Sequence, residues 1–120
     1  MTRAQIFGVC GFLLVAEDIP TLKRSLELVR TVENAFVTAA FDPWHSEDTT
    51  RVNTAKKSDK SIKKFLENDI NAYFKELEQI IEVDSKTAKK IVAIGKCGLD
   101  YDKAKSINKD FQIQLFEKHF

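Results

Sequence analysis

Two short stretches hold the side chains with chemical capacity, and each closes an apolar run. Lys96, Asp100, Tyr101 and Asp102 follow Ile91-Val92-Ala93-Ile94-Gly95, while Asp42, Trp44 and His45 follow Phe36-Val37-Thr38-Ala39-Ala40-Phe41. Asp100 and Asp102 offer oxygen donors for weak cation binding, although two acidic residues in a loop serve equally as turn formers and caps. Lys96 keeps its proton to roughly pH 10.4 unless desolvated, and an ammonium has no lone pair to give a metal. Its alternatives are an exposed loop lysine, a partner that neutralises Asp100 or Asp102, a point charge holding a phosphate, or a bystander to residual metal chemistry in neighbouring carboxylates. His45 reads either as a ligand contact at the same sheet end as Lys96 or as an exposed loop histidine. His119, the other histidine, reads as structural or surface. No Ser/His/Asp nucleophile set, phosphate-cradling Gly-rich loop or zinc cysteine pattern is present.

The scaffold beneath these groups follows from periodicity. Ile91 to Gly95 has the β-branched content of a strand covered on both faces, as parallel strands of α/β proteins are. Gly98 after it permits a tight or positive-φ turn. Ile6-Phe7-Gly8-Val9-Cys10-Gly11 reads as a second strand of the same buried kind. Asp18 offers an N-cap and Pro20 a first-turn residue, and Leu22, Leu26 and Val29 recur at helical spacing, so a helix of about three turns is expected, ended near Asn34. Phe36 to Phe41 forms the next strand, stopped by Pro43. Strand, helix, strand implies a right-handed βαβ unit. Residues 46–60 are polar and read as a surface loop. From Ile62 through Phe65, Leu66, Ile70, Tyr73, Phe74, Leu77, Ile80 and Ile81 runs the strongest amphipathic pattern in the chain, with Ser58 or Ser61 as its cap. Asp84 to Lys90 is expected to connect that helix to the Ile91 strand, which is placed centrally. A last helix is expected from Lys109 to Phe120, still helical at its final residue, with Phe111, Leu115, Phe116 and Phe120 roughly on one side. Parallel sheets bind ligands at the C-terminal ends of their strands, where both polar stretches fall.

Composition narrows the partners. Lys plus Arg (19) nearly cancel Asp plus Glu (18) over 120 residues, so no global basic field recommends nucleic acid. Hydrophobic residues make up 43%, enough for the core of one domain spanning residues 1–120. Cys10 and Cys97 form neither a CxxC pair nor a disulfide framework, and are expected to be reduced, buried and inert in a cytoplasmic or nuclear compartment. The apolar run from Ile6 to Val15 falls short of the ~20 residues of a membrane span and lacks the flanks of a signal peptide.

The Ala93-Ile94-Gly95-Lys96-Cys97-Gly98-Leu99-Asp100-Tyr101 run resembles the TatD family of metal-dependent deoxyribonucleases, whose fourth-strand motif reads A-I-G-E-x-G-L-D-[YF]. The resemblance implies an arc of a (β/α)8 barrel, with about three parallel strands and flanking helices. It implies a hydrolase acting on the phosphodiester bonds of DNA, with divalent metal ions (Mg, Mn or Zn). Lys96 stands where the family has a metal-ligating Glu. Asp42 stands where the family's G-x-H-P loop has a substrate-facing His, and Ala40 replaces the Gly. Gln112 and Phe116 match the family's Q-x-x-x-F helix. Asp42, His45, Lys96, Asp100 and Tyr101 are accordingly the residues expected to face a substrate, with no catalytic residue or metal ligand assigned. The H-x-H strand precedes and the later His and Asp ligands follow the matched region, so the chain is expected to be a truncated, degenerate member that binds no metal and is inactive. The alternative from a different class is a non-catalytic α/β module that binds a partner, or itself, through open sheet edges.

Overall fold

The computed structural model describes residues 3–42, 60–100 and 109–120, with the side chains of 60–69 outside the description. Among the described residues the elements, in chain order, are α1 (Arg3–Ile6), β1 (Phe12–Val15), α2 (Ile19–Thr31), β2 (Ala35–Ala39), α3 (Lys60–Lys86), β3 (Ile91–Ile94) and α4 (Lys109–Glu117). The three strands form one open parallel sheet in the order β1-β2-β3. Helices flank it, as in an arc of a (β/α)8 barrel, and among the described residues the sheet does not close on itself.

The first strand is displaced from its expected place. Residues 6–11 are not a strand: α1 ends at Ile6, Gly8 turns at φ 81°, and the ladder starts at Phe12, whose N–H donates to the Asn34 carbonyl at 2.9 Å. The two glycines are the physical reason. Gly8 adopts a backbone that side-chain-bearing residues rarely take, and a Cβ on Gly11 would sit 2.8 Å from the Asn34 oxygen. Cys10, on this turn, is exposed rather than a buried strand end.

α2 follows its sequence signals closely. The Asp18 carboxylate accepts from the Thr21 N–H at 2.7 Å, Pro20 occupies the first turn, and Leu22, Leu26 and Val29 are buried. The helix ends at Thr31, and Asn34 turns the chain at φ 56°. β2 is the central and most buried strand, with Val37 and Ala39 fully covered. Among the described residues β3 is an edge strand instead of the central one expected, and Val92 and Ile94 are each about half exposed.

The core gathers Leu22, Leu26 and Val29 of α2, Ala35, Val37 and Ala39 of β2, Phe41, Phe74 and Leu77 of α3, and Phe111 and Leu115 of α4. α3 runs further than expected, through Lys86, and takes Asp84 with it into the interior at 1% exposure. Its Oδ2 accepts from the N–H groups of Lys90 and Ile91 at 2.7 and 2.8 Å, and its Oδ1 faces Arg30 Nη2 at 3.7 Å. What read as a connector is therefore a latch holding the start of β3. α4 stops at Glu117, so Phe120 is not helical and lies 90% exposed. Phe111 and Leu115 point into the core, while Phe116 and Phe120 pair with each other, ring centroids 5.1 Å apart.

Candidate functional site

Because the strands are parallel, the residues that leave them collect at one end. Glu17 lies two residues past β1, Asp42 three past β2 and Lys96 two past β3. Backbone bonds tie these exits together. The Asp42 N–H donates to the Glu17 carbonyl at 2.8 Å and the Gly95 N–H to the Ala39 carbonyl at 2.9 Å. Gly95 supplies the positive φ (139°) expected of Gly98, since it is at Gly95 that the chain turns out of the ladder.

The Lys96 ammonium sits between the two carboxylates, 2.7 Å from Glu17 Oε1 and 3.2 Å from Asp42 Oδ2. Asp42 is buried, Glu17 half-buried and Lys96 the exposed member. Hydrogen bonds to Glu17 and then to Asp42 hold the ammonium's pKa above the usual lysine value. Lys96 therefore stays protonated across the physiological range, which removes it as a general base or amine nucleophile. It is not an isolated loop lysine, and the carboxylates it meets are Glu17 and Asp42 where the sequence pointed to Asp100 or Asp102. Asp102 lies outside the described residues.

The same end is braced from α3 and α4. Tyr73 Oη accepts from the Ile19 N–H at 2.8 Å and donates to the Ala40 carbonyl at 3.4 Å. Burial pushes its pKa well above the usual phenol value, so it remains a neutral strut. His119 Nε2 accepts from the Phe41 N–H at 3.0 Å, which places the ring proton on Nδ1, donating to the Leu115 carbonyl at 2.7 Å. Burial lowers the pKa of His119 and keeps it neutral. Gln112, fully buried, grips the backbone of Asp100 from both sides: its Oε1 accepts from the Asp100 N–H at 2.8 Å and its Nε2 donates to the Asp100 carbonyl at 3.1 Å. Cys97 is half-buried, and desolvation raises its thiol pKa, the condition of an unreactive cysteine.

Of the expected substrate-facing residues, Asp42 and Lys96 meet, and Asp100 is fixed by Gln112. His45 and Tyr101 lie outside the described residues, as do Trp44 and the polar segment up to residue 59. Glu17 was missed. Its signal, the apolar Phe12-Leu13-Leu14-Val15 run just before Ala16-Glu17, competes in the sequence with the apolar run six residues earlier.

The donor chemistry does not suit a divalent ion held in the manner of the resemblance. The Lys96 ammonium, held against the Glu17 and Asp42 carboxylates, offers no lone pair and repels a cation. Among the described residues no group of three or more His, Cys, Asp and Glu gathers at one point. Among them, too, no helix is long and apolar enough to cross a membrane. A family model described as TatD related DNase matches residues 1–120.

Proposed function

The chain belongs to the TatD related DNase family, and from that premise we propose that it is a member whose strand-end site no longer hydrolyses phosphodiester bonds by itself. One observation carries the reading: at the position of the family's ligating Glu, Lys96 reaches back to Glu17 and Asp42 with its ammonium. Two-metal hydrolysis needs anionic and imidazole donors that converge on ions ~3.5–4 Å apart, and a fixed positive charge in that ring opposes the first ion. DNA is the substrate class of the lineage. In this chain Asp42, His45, Lys96, Asp100 and Tyr101 are the residues proposed to face it, from a single domain in the cytoplasm or nucleus that also associates through its open sheet edges.

Incubation of the purified chain with nicked plasmid and magnesium, manganese or zinc tests the reading. No cleavage above a protein-free control is expected with any of the three. Cleavage that requires metal and co-purifies with the chain would overturn it.

A further inference from the structure

Three strands end at one mouth, and each sends one charged side chain into the same cluster: Glu17 from the β1 exit, Asp42 from β2 and Lys96 from β3. The Asp42 N–H to Glu17 carbonyl bond joins the two strand exits, and both carboxylates reach the same ammonium, at 3.2 and 2.7 Å. Like charges held this close repel unless a cation lies between them. Asp42 is the more demanding of the pair, because at 5% exposure it has little water to screen it.

We infer that Lys96 is a positioning residue serving as a tethered internal cation, which assembles the mouth of the sheet without a divalent ion. The inference deepens the functional reading and shares its cluster, but concerns what holds the mouth together rather than whether bonds are cleaved. An ammonium tethered to β3 is always present at high effective concentration, whereas a free ion has to be drawn from solution. It also joins the edge strand β3 to the other two strand exits. Along the β2–β3 ladder the register is irregular at Val37 and Thr38, so a contact at the exit helps fix the alignment of the two strands.

Thermal denaturation in the absence of nucleic acid provides the test. The melting temperature of the unaltered chain is expected to be the same in chelator and in magnesium, manganese or zinc. Lys96→Gln, which keeps much of the side chain but not the charge, is expected to melt several degrees lower and to regain part of that loss in millimolar manganese. Lys96→Arg is expected to melt close to the unaltered chain without metal. A rise in the unaltered chain's melting temperature with metal, or a Lys96→Gln protein as stable in chelator as the parent, would overturn the inference. The unaltered-chain arm decides the matter even if the glutamine variant does not fold. Cleavage of DNA by a chain whose stability ignores metal would sink the functional reading and leave this one standing.

Discussion

His119 couples the end of α4 to the end of β2, and the coupling depends on its charge state. Nε2 can accept the Phe41 N–H only while it is unprotonated. The folded-state pKa is lowered, so the unfolded chain takes up the proton first. The stabilisation is complete above the unfolded value of about 6.5 and is lost as pH falls below it toward the lowered folded value. The melting temperature is expected to decline between about pH 7 and pH 5, and His119→Gln to flatten that slope while starting lower. An unchanged slope in the variant would show that another group titrates. Asp84 makes a second prediction at this scale. Asp84→Ala strands the part-buried N–H groups of Lys90 and Ile91, each costing about 1–3 kcal/mol when unpaired, so chemical denaturation should register a loss of about 2–6 kcal/mol.

α4 is tied to the sheet by Phe111 and Leu115 and to the Asp100 backbone by Gln112. If it belongs to the same cooperative unit as α2 and β2, Leu115→Ala should cost about 2–5 kcal/mol, the range for emptying a buried leucine site. A much smaller loss, or a separate early transition, would mean that α4 docks independently. The α2 cap offers a gentler change. Asp18→Ala removes the acceptor for the Thr21 N–H and should lower stability by about 1 kcal/mol in the same assay. The exposed Lys23–Glu76 pair between α2 and α3, 2.7 Å apart, should contribute little when broken, since water screens both ends.

At the scale of the whole molecule, both outer strands of the sheet carry exposed apolar side chains: Leu13 and Val15 on β1, Val92 and Ile94 on β3. Parallel strands are ordinarily covered, and an uncovered edge presents unpaired N–H and C=O groups to another chain. Sedimentation of the purified protein is expected to show association that grows with concentration and weakens in a Leu13→Lys, Val92→Lys variant; a clean monomer at high concentration would contradict it. Sequence alone determined the α/β class, the α2 and α3 helices, the strands at Phe36 and Ile91, and the family, because helical spacing, an Asp cap and a β-branched run are local signals. It did not locate β1. An apolar run interrupted by glycines can begin its ladder at several places, and only the close approach of Gly11 to Asn34 selects Phe12. Nor did it reveal that Asp84 is buried or that Lys96 meets Glu17 and Asp42. Those residues are far apart along the chain, and the direction a side chain takes at a strand exit depends on parallel order and register, where a shift of one residue reverses the face. Tertiary structure alone decided the composition of the cluster, because three strand exits become neighbours only after the sheet has formed.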